Sequence, residues 1–350
     1  MLVQCRSPDL IASVASGDAS LQPARAAVAE VREHRLRHDL ELLRLLRARG
    51  LLDAVTAAAA AAAYAEVLAS ASRSSEGVVV VSEEHWRLLF PFFNRRLYVH
   101  PCPAMEAAAL SPSRSMSLRT SGAPEPVDWP DAGGDLSKGA VLVIDDVLSE
   151  QALWALREFA ELSTIWFKEF STYLGAFMWS GFSTPLLAQI AGELRAAYPD
   201  LLCDMMLQYV WAFKYDDGAS QGIHTHADEA AVNINFWITP DDENLDSESG
   251  GLVICDATVL GTNLTSSEYN GGKSDGVAAQ TLIERTGRMN VTVPHRQNRA
   301  VVFPSSRLHH TQSFAFRKGM RSRRINLTFL FGHKVFFCPK RAKVTHILQT

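Results

Sequence analysis

Apolar positions divide the chain into two halves with different periods. Over residues 24–49, Val28, Leu36, Leu40, Leu43 and Leu46 recur at roughly helical spacing, and Gly50 stands where a helix C-cap would be. A second helical stretch is centred on the alanine run 57–63, strong in helix propensity but poor in apolar area. Together they predict a helical hairpin, too short to be a repeat array. The run VVVVS at 78–82 predicts a short strand. The segment HWRLLFPFFNRRLYV at 85–99 is apolar enough to be buried, and is expected to pack against the main domain. Residues 111–139, rich in Ser, Pro and Gly, predict a linker.

From Ala140 the pattern turns to strands. AVLVIDDVL predicts a strand leading into a helix over SEQALWALREFAEL with Ser149 as N-cap, and a second helix covers 185–197. Short β-prone runs follow, separated by turn residues: MLQYVWAF, AVNINFWI, GLVIC, MNVTVP, RAVVFP and RINLTFLFG. Two helices followed by many strands predict an α+β domain on a β-sandwich or barrel. The expected organisation is a mainly helical region over 1–110, the linker 111–139, the main domain over 140–335 and a tail over 336–350.

Composition narrows the class. A chain of 350 residues, 47% hydrophobic and 21% charged, is ordinary globular material of roughly two domains. With 34 basic and 38 acidic residues, net charge −4, it has no global positive excess to hold nucleic acid. The weak basic character of 25–49 reads as a solvated helix face. No apolar run is long enough to span a bilayer, and the N-terminus lacks the apolar core of a secretory signal. Cys5, Cys102, Cys203, Cys255 and Cys338 are odd in number and far apart, without a C-x-x-C pair. A reduced, cytoplasmic protein is expected, with organelle targeting left open.

The chemistry concentrates in GIHTHADEAAVNINFWITP. His226 and Asp228 are two apart at the mouth of a strand, so in extended geometry both face one point. A third ligand is sought about 80 residues on, in NRAVVFPSSRLHHTQSF, where His309 and His310 follow a strand. Two histidines and one carboxylate leave open positions on an octahedral ion, the arrangement of non-haem Fe(II) oxygenases. Asn233 and Asn235 share one strand face; as buried amides they must be hydrogen-bonded, to a pocket or to loops. Gly250 and Gly251 read as a turn or bulge before a strand, and the polar insertion 266–276 offers Tyr269 and Asn270 as substrate contacts.

The strings HADEAAVNINFWITP, SGGL, NR, LHHT and RRINLT occur in that order. Over about residues 140–335 the chain thereby resembles the Fe(II)/2-oxoglutarate-dependent oxygenases, of which prolyl hydroxylases are members. The resemblance implies a double-stranded β-helix (jelly roll) with flanking helices and the metal at its open end. It implies Fe(II), 2-oxoglutarate and O2 as cofactor and co-substrates, with ascorbate as an optional accessory. It implies a dioxygenase hydroxylating a small-molecule or protein substrate with release of succinate and CO2. Residue by residue, His226 and Asp228 take the H-x-D positions and His309 the third ligand position, with His310 as its rival and His224 as a rival of His226. Arg324, at the start of the last strand, takes the anchor for the far carboxylate of 2-oxoglutarate; Asn326, Asn235 and Tyr215 add contacts, with Gln208 as a weaker one. Asp228 argues against a halogenase, which leaves that position to a halide. Two other readings stay open here: a cupin-like metalloenzyme that does not use 2-oxoglutarate, and a non-catalytic scaffold whose N-terminal helices bind a partner or self-associate.

Overall fold

A computed structural model describes residues 29–74, 76–120, 127–128, 140–202, 205–215, 225–265, 269–270, 277–286 and 290–333. The tail 336–350, His224 and most of the 266–276 insertion lie outside them. The chain forms two compact units, Met1–Val99 with Leu162–Leu174, and His100–Glu161 with Gly175–Thr350.

In the first unit, β1 (Ala29–Arg32) enters α1 (Glu33–Ala48), which ends at Gly50 with φ +65°. Then α2 (Ala54–Ser70) starts at Asp53, whose side chain accepts from the Thr56 N–H at 2.9 Å. The alanine run places Ala57, Ala60 and Ala63 on the buried face, small enough for α1 to lie close, and Leu36, Leu40 and Leu43 pack with Ala60, Tyr64 and Val67. After β2 (Ser72–Arg73) and β3 (Val78–Val81), α3 (Glu83–Leu89) is capped by Ser82. Leu89 and Phe93 join this unit's core. The 85–99 segment, expected against the main domain, joins this core, because α3 directly continues β3, which pairs with β1. The expected solvated basic face is also corrected in part. Arg35 is buried and held by Asp39 at 2.7 Å, whose carboxylate also takes the Tyr64 hydroxyl at 3.1 Å.

In the second unit the expected linker contains a strand, β4 (Ser115–Arg119), followed by β5 (Val127–Asp128). Its polar sequence hides it, and it forms because β6 (Val141–Asp145) offers a hydrogen-bonding edge. Then α4 (Glu150–Leu162) begins at Ser149, whose Oγ accepts from Ala152 N at 3.3 Å. The short β7 (Lys168–Glu169) lies in the stretch assigned to the first unit, and β8 (Tyr173–Phe177) leads back. Next, α5 (Pro185–Ala197) has Thr184 as N-cap and proline at its first position, and α6 (Pro199–Leu202) is a single turn. The remaining elements are β9 (Leu207–Tyr215), β10 (Val232–Trp237), β11 (Leu252–Thr258), α7 (Val277–Thr286), β12 (Val291–Val293), β13 (Arg299–Pro304), β14 (Arg307–Thr311) and β15 (Ile325–Phe331).

The larger sheet has the order β5-β4-β6-β13-β10-β15-β9-β8, and a smaller one the order β12-β11-β14. The pairs β6–β13, β13–β10, β10–β15 and β15–β9 of the larger sheet and β12–β11 and β11–β14 of the smaller are antiparallel. Val141, Val143, Trp237, Val301 and Phe303 of the larger sheet pack against Leu252, Ile254, Val291 and Val293 of the smaller, so the two face each other across one core. The register then sets which side chains share the inner face. Trp211, Thr328, Asn235 and Val301 form one row across four strands, and Tyr209, Leu330, Asn233 and Phe303 the next. The outer face carries Ile234, Phe236, Phe329 and Lys214, the last in electrostatic contact with Glu161 of α4.

Candidate metal centre

The backbone brings the H-x-D segment to β14. His226 N donates to His309 O at 3.0 Å and His309 N donates to His226 O at 2.8 Å, so the two histidines form an antiparallel bridge 83 positions apart in the chain. Asp228 N donates to Ser305 O at 3.0 Å, tying the carboxylate to the turn between β13 and β14. One ligand atom from each of His226, Asp228 and His309 lies within 4.8 Å of the others. His309 Nε2 is 3.5 Å from Asp228 Oδ2, and the two imidazole centroids are 4.3 Å apart. His309 Nδ1 pairs with Arg307 O at 2.9 Å; donating there, it leaves Nε2 as the free lone pair, the usual way a ligating imidazole is oriented.

Sequence pattern placed His309 and His310 after a strand; they are inside β14, on opposite faces of it. His309 is buried at the centre, whereas His310 sits on the other face with Nδ1 3.5 Å from Thr225 Oγ1. Burial pushes the Asp228 carboxyl upward. The bond and charge of His309, the charge of His226 and the Asn233 amide outweigh it and hold the group below the usual carboxylate range. One carboxylate and two imidazoles form a donor set that fits a divalent first-row ion with positions left open.

Arg324, the residue before β15, is 2% exposed. Its Nε donates to Gly250 O at 2.6 Å, Nη2 to Gly251 O at 3.4 Å and Nη1 to Asn326 Oδ1 at 3.0 Å. The Tyr215 and Phe314 rings lie over the guanidinium at 4.7 and 5.7 Å. Among the described residues, no carboxylate forms an ion pair with it. A buried cation held only by neutral groups is costly, and burial pushes the guanidinium below its ordinary value. An incoming carboxylate would supply the missing charge through two parallel bonds. Tyr215, its phenol pushed up by burial, pairs with Thr311 Oγ1 at 3.2 Å and closes this end.

The candidates Arg324, Asn326, Asn235 and Tyr215 belong to the inner side of the larger sheet, which faces the smaller sheet that carries His309. Gln208 lies at the register shift of β9, where Leu330 faces Tyr209 and Phe331 faces Leu207, whereas Tyr209, Trp211 and Phe213 follow the regular alternation of the inner face. Those three rings, with Phe177 and Trp179, form an aromatic wall beside the centre; Trp179 stands 68% exposed at its rim. The sequence pattern showed Tyr209, Trp211 and Phe213 only as strand residues and singled out neither Phe177 nor Trp179. The Gly250–Gly251 turn does more than a bulge, since its carbonyls hold Arg324. Tyr269 and Asn270 change role as well. Tyr269 is buried in a cluster with Ala227 and Leu308, and Asn270 bonds the backbone of Ala227, so neither is placed as a substrate contact.

No protein-family model matches the chain, and no curated protein does. Among solved structures, it is similar to the non-haem α-ketoglutarate-dependent epimerase SnoN from nogalamycin biosynthesis, at 12% identity and TM-score 0.39 over 55% of this chain and 77% of that one. It is also similar to HygX from Streptomyces hygroscopicus with nickel and 2-oxoglutarate bound, at 14% identity and TM-score 0.38 over 56% and 83%. A prolyl hydroxylase from Trichoplax adhaerens in complex with a hypoxia inducible factor peptide overlaps less, at 13% identity and TM-score 0.29 over 46% and 63%. Among the described residues, no helix is long and apolar enough to cross a membrane.

Proposed function

We propose that the protein is an Fe(II)- and 2-oxoglutarate-dependent dioxygenase that hydroxylates its substrate, with release of succinate and CO2. The observation that carries this is the pairing of two features between the two facing sheets: the His226–Asp228–His309 donor cluster, and the buried Arg324 with no acidic partner among the described residues. The first fits Fe(II); the second fits the far carboxylate of a keto diacid. A metalloenzyme that used no such acid would have no need to bury an uncompensated guanidinium.

The strand path supports a double-stranded β-helix. From β9 in the larger sheet the chain reaches the His226 bridge on β14 of the smaller. It returns to β10, crosses to β11 and β12, returns to β13, crosses to β14 and ends in β15. Such alternation is the jelly-roll connection.

His226, Asp228 and His309 would hold the iron, which supplies the activation of O2 coupled to decarboxylation of the keto acid. Arg324 orients the co-substrate by its far carboxylate, and Asn326, Asn235 and Tyr215 shape the pocket around it. The sheet core of Val141, Val143, Trp237 and Phe303 excludes water from below. Tyr209, Trp211 and Trp179 give the open side an apolar wall suited to a substrate with ring or hydrocarbon surface.

The test is an anaerobic titration of the protein with Fe(II) and 2-oxoglutarate, followed in the visible. A charge-transfer band in the parent, absent in His226→Ala, is the expected result. Iron uptake without the band favours the metalloenzyme that does not use 2-oxoglutarate. A folded protein that takes up no iron favours the scaffold.

A further inference from the structure

The two opposite charges of this pocket, Arg324 and Asp228, are joined by four consecutive hydrogen bonds. Arg324 Nη1 donates to Asn326 Oδ1 at 3.0 Å, and Asn326 Nδ2 donates to Asn235 Oδ1 at 3.4 Å. Asn235 Nδ2 donates to Asn233 Oδ1 at 2.6 Å, and Asn233 Nδ2 donates to Asp228 Oδ2 at 2.5 Å. Every amide accepts on its guanidinium side and donates on its carboxylate side.

The two ends enforce that direction. A guanidinium has only donors and an ionised carboxylate only acceptors, so reversing any one amide breaks both of its bonds. Thr328 Oγ1 adds a second donor to Asn235 Oδ1 at 2.9 Å and pins the middle member. Asn233, Asn235 and Asn326 are all at most 6% exposed, so bulk water does not compete for these groups. In such surroundings bonds aligned head to tail between opposite charges strengthen one another.

We propose that this one-way amide chain is a positioning device. Asn233 orients the Asp228 carboxylate for the metal, and Asn235 and Asn326 transmit the charge of Arg324 to it, so that metal affinity depends on residues remote from the metal. The proposal rests on the metal reading above. Asn326 and Asn235 thereby gain a role beyond contact with the co-substrate. If that contact were their whole role, replacing them would leave binding of metal alone unchanged.

The experiment is a titration of the full chain with Co(II) and no 2-oxoglutarate, followed by the visible bands of bound cobalt. Near-ultraviolet circular dichroism confirms the fold. Asn233→Leu, which cuts the link next to the carboxylate, is expected to weaken Co(II) binding about tenfold or more. Asn235→Leu and Asn326→Leu, of similar size to the parent residue, are expected to weaken it progressively less and to shift the cobalt bands. Combining those two is expected to cost less than the sum of their single effects, because the chain is already cut. Where a leucine variant does not fold, Asn235→Ser and Asn326→Ser are read in its place. Folded Asn235 and Asn326 variants with the parent's affinity and spectrum would overturn the chain. A parent that binds no Co(II) would overturn the metal reading, and the chain with it.

Discussion

Asn270 holds Ala227 by both of its backbone groups: Oδ1 accepts from Ala227 N at 2.9 Å and Nδ2 donates to Ala227 O at 2.8 Å. Ala227 is the residue between His226 and Asp228, so this side-chain clamp from 43 positions away fixes the segment that carries two of the three proposed ligands. Asn270→Ala is expected to weaken Fe(II) binding about 10–100-fold, the usual cost of losing an outer partner of a metal site. The cost in stability is expected to be about 2–6 kcal/mol, at about 1–3 kcal/mol for each of the two unmet backbone groups. Iron titration beside urea denaturation separates the two. A stability loss without an affinity loss would show that the segment keeps its geometry unaided.

His309 and His310 are neighbours with different fates. Alternation along β14 puts His309 Nε2 3.5 Å from Asp228 Oδ2, and His310 within reach of Thr225 on the other face. His309→Ala is expected to reduce Fe(II) affinity by more than about 100-fold, beyond the loss expected for an outer partner. His310→Ala is expected to keep the affinity within about threefold, an effect under 1 kcal/mol. Equal losses would mean that the strand register differs from the one described.

The legibility of these features in the sequence followed how local their causes are. The helix Pro185–Ala197 was readable to its ends because Thr184 and Pro185 set its start by chemistry internal to a few residues. The alternation in β10 was readable for the same reason, and it put Asn233 and Asn235 on one face. By contrast, β14 has the sequence RLHHT, too polar to read as a buried strand, and it is buried because β11 pairs with it from some 50 positions away. The Asn270 clamp and the carbonyls of Gly250 and Gly251 act through long-range pairings, for which an isolated sequence carries no local signal. The cluster of His226, Asp228 and His309 was visible as residue types at a spacing; the amide chain behind it needed the register of β10 against β15.

Gly251 is where sheet packing and the arginine anchor meet. A Cβ there would lie 1.8 Å from Val293 O and 2.7 Å from Pro294 C, both backbone atoms of the neighbouring β12 region. Gly251→Ala must open the Leu252–Val293 pairing and displace the carbonyls that hold Arg324. A destabilisation of about 3 kcal/mol is expected, the upper range for forced overpacking. The charge-transfer band of the folded fraction should need more 2-oxoglutarate to saturate. A parent-like urea midpoint would show that β12 yields without cost.

His295 gives the fold an acid-sensitive point away from the metal ligands. The imidazole is 5% exposed between Trp237 and Phe316, and among the described residues neither nitrogen has a hydrogen-bond partner. The Asp241 carboxylate faces it at 3.6 Å, outside bonding reach, and Arg324 and Arg299 add repulsion. Burial first, then those two positive charges, push the imidazole from 6.5 down to about 3. The group is neutral in the fold but takes up a proton on unfolding below pH 6.5. Its contribution to stability is therefore full above that pH and is lost as pH falls towards about 3, amounting to about 2 kcal/mol lost at pH 5. His295→Leu removes the proton uptake and suits the aromatic surroundings. The stability of this variant relative to the parent should rise by about 2 kcal/mol between pH 7 and pH 5, measured by urea denaturation at each pH. A constant difference across that range would mean that His295 finds a partner for its proton in the folded protein.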